Sequence, residues 1–151
     1  MRVQNKMKQI LLFILLNLSL CQCSELGLNT SSTARQLDPR PSGIPVASGV
    51  LTPLNGQSNI TGNALIFLQS PGSYILRLEG LSMTWEAGLK IKISSTLNGI
   101  TQSPTLLDLR FNSGDQNYNF TTPGTSAKFD FVYIYSTQRI LDYASARLIA
   151  N

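Results

Sequence analysis

The strongest signal in the chain is a period of two. In residues 89–93, Leu89, Ile91 and Ile93 fall on one side, and Lys90 and Lys92 on the other. Side chains alternate across a strand, so this run predicts a strand with one buried and one wet face. Residues 74–79 repeat the pattern, with Tyr74, Leu76 and Leu78 opposed to Ile75, Arg77 and Glu79. Residues 106–111 do so again, with Leu107, Leu109 and Phe111 against Leu106, Asp108 and Arg110. Two runs are apolar on both sides, as central strands are. These are residues 64–68 and 129–135, the latter with Phe129, Phe131, Tyr133 and Tyr135 opposite Asp130, Val132 and Ile134. Residues 49–51 and 116–120 add further strands. Turn chemistry separates them at Leu54-Asn55-Gly56-Gln57, Ser70-Pro71-Gly72-Ser73, Asn112-Ser113-Gly114-Asp115 and Thr122-Pro123-Gly124-Thr125.

The tail, residues 138–150, fits two periods. Ile140, Ala144 and Leu148 share a helical face, and Ala144, Ala146 and Leu148 a strand face. The all-β surroundings favour a closing strand. Residues 47–151 thus read as one all-β domain, an antiparallel β-sandwich or a barrel-like closure of it. At that length a core supports folding without disulfide staples.

Upstream the pattern changes. Residues 24–46 are rich in Ser, Thr, Pro and Gly without periodicity, and read as a flexible linker with a reach on the order of 27 Å. Residues 1–23 open with Arg2, Lys6 and Lys8 and continue into an apolar block too short to cross a bilayer. That is the layout of a secretory signal. Cys21 and Cys23 close it. Cleavage before either cysteine, followed by lipidation, makes a membrane-anchored lipoprotein, although Leu20 and Gln22 depart from the small residue such a site prefers. Cleavage before Ser24 gives a secreted protein. Both routes export the chain.

Removing the signal changes the charge. The formal +4 includes three cations of the signal, leaving nine cations against eight acids. No basic stripe remains, which argues against nucleic acid as a partner.

From Ser24 onward there is neither cysteine nor histidine. This excludes a Ser-His-Asp triad and a thiol nucleophile. No cofactor is evident. Asp108, Asp115, Asp130 and Asp142 lack calcium-loop spacing. Glu79 and Glu86 are the carboxylates a glycosidase reading would use, against an ordinary role as solvated charges. Trp85 lies in a connection between strands, where binding residues concentrate. Trp85 and Tyr118 are the candidates for stacking on a sugar. Tyr133, Tyr135 and Trp85 read as packing aromatics, with electron hopping as the alternative. Asn29, Asn59 and Asn119 head sequons that matter only in a eukaryotic route.

Four stretches resemble the DM-thirteen domain family, in the family's order, between about residues 47 and 148. Residues 74–81, YILRLEGL, are similar to its L-R-L strand. Residues 88–94, GLKIKIS, resemble its G-P-D-L-x-V-Y-L-S strand without the Pro-Asp pair. Residues 114–120, GDQNYNF, resemble its G-x-Q-x-Y element. Residues 129–148 resemble its last unit, an aromatic strand ending in I-W-C and then A-x-L. The resemblance implies an all-β domain of exported proteins and a role in electron transfer. The family cysteine is matched by Ser136, and the aromatic before it by Tyr135. A hydroxyl cannot pass through sulfenate and disulfide states, so thiol redox chemistry is lost at that position. Two readings follow. One is a cell-envelope redox accessory. The other is a non-enzymatic module binding glycan or protein at the surface, with the membrane as a further partner if the chain is lipidated.

Overall fold

The computed structural model describes residues 35–57, 59–97, 100–101, 103–123 and 127–151. Their strands, in chain order, are β1 (Arg35–Leu37), β2 (Ala47–Val50), β3 (Thr52–Pro53), β4 (Thr61–Ser70), β5 (Ser73–Ser82), β6 (Leu89–Leu97), β7 (Ile100–Thr101), β8 (Thr105–Asp108), β9 (Ser113–Thr121), β10 (Lys128–Ser136), β11 (Leu141–Arg147) and β12 (Ile149–Ala150). Among the described residues no helix forms. The strands make two sheets. The first has the order β1-β9-β5-β4-β2-β12 and the second β3-β11-β10-β6-β7, with β8 also on β6. All pairings are antiparallel except β1 with β9. The sheets pack face to face as a sandwich and do not close into a barrel.

The period of two explains the core. Leu76 and Leu78 of β5, Ile91 and Ile93 of β6, and Val132 and Ile134 of β10 are all buried between the sheets. Each such side chain contributes about 1.5–3 kcal/mol over its exposed state. Tyr74, Phe120 and Phe129 form an aromatic cluster with centroids 4.8 to 5.7 Å apart. The tail is strand, and Ala144, Ala146 and Leu148 all point inward.

At one corner the chain changes sheets twice. β2 passes through Leu51 into β3, and β11 passes through Leu148 into β12. Both linking residues are buried. The backbones close in so tightly that a Cβ on Gly49 would lie 2.2 Å from the Arg147 carbonyl oxygen.

Three expectations change. First, β10 is not a plain alternating strand. Its pairing with β6 skips Asp130 between Phe129 and Phe131. This bulge puts Phe129 inward with Val132 and Ile134, and turns Phe131, Tyr133 and Tyr135 to the outer face. Tyr133 and Tyr135 are therefore half-buried surface aromatics rather than members of the inner core. Second, Asn112-Ser113-Gly114-Asp115 is not a free turn, because Ser113 already pairs with Ser82 in the first sheet. The Thr122-Pro123-Gly124-Thr125 turn extends outside the described residues.

Third, the domain begins before residue 47. β1 sits at one edge of the first sheet and β2 lies beyond β4, so residues 38–46 cross the outer face of that sheet. Asp38 secures this strap. Its carboxylate accepts from Arg110 at 2.7 Å and from the Asn117 amide at 2.8 Å. Its carbonyl accepts from Arg77 at 2.9 Å. Arg77 is buried there, with Asp115, Asn117 and Glu79 as further acceptors. Pro41 and Ser42 border the same recess as Phe67 and Ile75. Phe67 pairs with Ile75 on the outer side of β4, yet it is almost fully buried. This is why residues 64–67 are apolar on both faces. Residues 1–34, with Cys21, Cys23 and Asn29, lie outside the described residues.

Candidate functional site

The connection from β5 to β6, residues 83–88, is tied down at both ends. The Met83 amide donates to the Asn112 carbonyl, and the Asn112 side chain returns a bond to the Met83 carbonyl. At the other end Thr137 donates to the Gly88 carbonyl from its backbone and its hydroxyl. Gly88 has φ 75° and packs against Thr137, so a side chain there would be both strained and crowded. Trp85 and Glu86 are thereby presented at one end of the sandwich.

Glu86 gathers residues distant in sequence. Ser136, at the end of β10, donates from its hydroxyl to Oε1 at 3.0 Å. Arg139, in the β10–β11 turn, places Nη2 at 3.1 Å from Oε2. The Tyr143 hydroxyl donates to the same Oε2 in a short bond. Tyr143 gets there through irregular pairing. Ile134 pairs with Ala144 and Tyr135 with Asp142, so Tyr143 is the extra residue of a bulge in β11. A bulge re-aims the side chain it carries. Ser136 also accepts from the Arg139 amide at 3.2 Å. The Leu54-Asn55-Gly56-Gln57 turn adds another wall, held by Asn55 bonding the Asp142 carbonyl and by Leu54 bonding the Tyr143 carbonyl.

Of these groups Gly56, Gln57, Glu86, Arg139 and Tyr143 border a cavity of about 220 Å³. Ile60, Met83 and Tyr143 are its buried lining, Gln57, Asn59 and Thr84 are polar, and Trp85 stands at the rim. Trp85 is 48% exposed. The Tyr143 hydrogen bond, with smaller help from Ser136 and Arg139, holds the Glu86 carboxyl below its usual range against the opposing effect of desolvation. Desolvation, and then the bond to Glu86, push the Tyr143 phenol up. Near neutral pH the site thus holds a carboxylate and a protonated phenol.

The other residues named from the sequence are dispersed. Tyr118 points into the sandwich, with its hydroxyl donating to Gln116 at 2.6 Å and accepting from the Arg110 amide. A buried ring offers no stacking face, so Trp85 and Tyr118 do not form a platform. Burial raises the Tyr118 phenol further above its ordinary value. Gln116, fully buried, bonds both the amide and the carbonyl of Phe111, as a strand partner would. The Gln and Tyr of the G-x-Q-x-Y stretch thus brace the β8–β9 connection. Tyr135 and Tyr133 share the Lys92 ammonium, 5.2 and 4.5 Å from their centroids. Lys92 in turn pairs with Asp142. Glu79 pairs with Arg77 and Arg40, and Glu86 with Arg139, so the two carboxylates belong to separate ion-pair clusters. Asp108, Asp115 and Asp142 each pair with a cation, and Asp130 accepts from Thr96. Among the described residues no three potential ligands converge on a metal position.

Sequence reasoning singled out Trp85 and Ser136 but missed Tyr143 and Arg139. The signal available was a polar turn, Thr137-Gln138-Arg139, directly after Ser136. No family model, curated protein or solved structure matches the chain.

Proposed function

We propose that this chain is an exported domain of the DM-thirteen type, acting as a non-enzymatic binding module at the cell envelope and taking a carbohydrate at the Trp85 cavity. The observation that carries this reading is a half-exposed tryptophan over a small polar cavity whose carboxylate is already satisfied. An indole face supplies stacking area, and amide and hydroxyl groups fix orientation. Catalysis finds less support. Glu86 is held ionised, the wrong state for a general acid, and Ser136 has a carboxylate acceptor but no histidine base.

One observation favours the redox reading as the second. The Tyr143 phenol faces a carboxylate able to take its proton if the ring were oxidised, and Trp85 adjoins Glu86 in the chain. Voltammetry of the purified protein separates the two. Saturable binding of an envelope polysaccharide, lost in Trp85→Ala with an unchanged melting temperature, supports the module. A reversible wave that disappears in Tyr143→Phe, with no saccharide binding, supports the accessory.

A further inference from the structure

We infer that the Trp85 cavity receives a single uncharged sugar ring, free or at the end of a chain, and rejects uronic and sialic acids. This rests on the carbohydrate reading above.

The first argument is size. About 220 Å³ lies below the roughly 300–1,000 Å³ of sites for drug-sized ligands. Ile60 and Met83, both buried, form its floor. A recess of this size is filled by one ring, which the end of a chain supplies more readily than a closed cycle does.

The second argument is charge. Among the described lining residues only Glu86 and Arg139 are ionic, and they pair with each other at 3.1 Å. Their sum is zero. A ligand carboxylate entering the recess would lose hydration, meet a cation already paired, and lie beside Glu86. A hydroxyl-bearing neutral ring has no such cost. Gln57 and Thr84 bring an amide and a hydroxyl group that both donate and accept, matching the dual character of sugar hydroxyls.

Trp85 is the chain's one tryptophan, so its emission reports on this recess alone. The purified protein is titrated with the methyl glycosides of a neutral hexose, an N-acetylhexosamine and a hexuronic acid, and with a cyclic glucan that has no chain end. The expected result is a saturable emission change with a neutral glycoside, affinity for the uronide weaker by about tenfold or more, a gap near 1.4 kcal/mol, and no response to the cyclic glucan. A uronide that binds as tightly overturns the charge argument and leaves the carbohydrate reading standing. A cyclic glucan that binds as tightly overturns the single-ring argument, again leaving that reading. Silence with every saccharide overturns both. In Glu86→Gln, which frees Arg139, uronide affinity is expected to rise to at least that of the neutral ring. Unchanged selectivity in a folded variant overturns the pairing argument, and the wild-type comparison stands without that variant.

Discussion

The Tyr143 hydroxyl donates to Oε2 of Glu86, and through that bond a bulge in β11 is fastened to the β5–β6 loop. Their pKa values are shifted in opposite directions, which gives the pair an acid and an alkaline pH signature. Glu86 titrates in the folded protein below the ordinary value of about 4.3. Its contribution to stability is complete above that value and is lost as pH falls through the folded pKa. Tyr143 titrates above the ordinary value of about 10. Its contribution is complete below that value and is lost as pH rises through the folded pKa. Thermal melts should show a shallower acid limb in Glu86→Gln and also in Tyr143→Phe, which removes the bond that lowers Glu86 most, and a shallower alkaline limb in Tyr143→Phe. Three parallel profiles would remove Glu86 and Tyr143 as the source.

Ser136 has no exposed surface. A cysteine placed there should resist a thiol reagent in the native protein and react only after denaturant is added. The Ser136→Cys variant should also melt lower, because a thiol is a weak donor to Glu86 and a weak acceptor for the Arg139 amide. Rapid labelling of the native variant would show that the site opens.

Gly49 is needed for space. An added methyl would press on the backbone of Arg147, which the corner crossing holds in place. Gly49→Ala should cost about 1–3 kcal/mol in chemical denaturation, the range for overpacking. A neutral result would mean that the corner can separate.

Ile140 has φ 55° in the β10–β11 turn and is 78% exposed. A β-branched residue in the left-handed region costs about 1–2 kcal/mol, and its exposed side chain returns little packing. Glycine removes that strain and adds about 0.4–1 kcal/mol of unfolded-state entropy cost. Ile140→Gly should therefore stabilise by roughly 0.5–1 kcal/mol. A lower melting temperature would show that the isoleucine makes a contact worth more than the strain.

The strap predicts the behaviour of a shortened chain. Starting at residue 47 removes Asp38 from Arg77 and Arg110 and opens the cover over Phe67. Re-exposing Phe67 alone costs about 1.5–3 kcal/mol. The shortened protein should melt well below one starting at residue 35. Equal melting points would return residues 35–46 to the status of a linker.

Much of the fold was legible because alternation reports burial directly. β6 shows it best, with leucine and isoleucines inside and lysines outside. The sequence failed where one residue breaks the period. Asp130 is that residue in β10, and its bulge moves three aromatics to the opposite face. A bulge leaves no compositional mark, so period alone mispredicts everything beyond it. The strap was missed for another reason. Ser, Thr, Pro and Gly describe a segment without strand or helix of its own, and Asp38 and Pro41 belong to such a segment while being fixed by Arg77, Arg110 and Phe67 far along the chain. The site combined both difficulties. Glu86 meets Ser136 and Tyr143 across separations of 50 and 57 residues, and the second meeting depends on a bulge.

The placement of β1 and β12 has a geometric consequence. They are the two outermost strands of one six-stranded sheet, five interstrand spacings apart, or about 24 Å. A fluorescent or affinity label joined after Asn151 would emerge on the flank away from Arg35. Labels placed at Arg35 and after Asn151 would thus report on opposite edges of this one sheet.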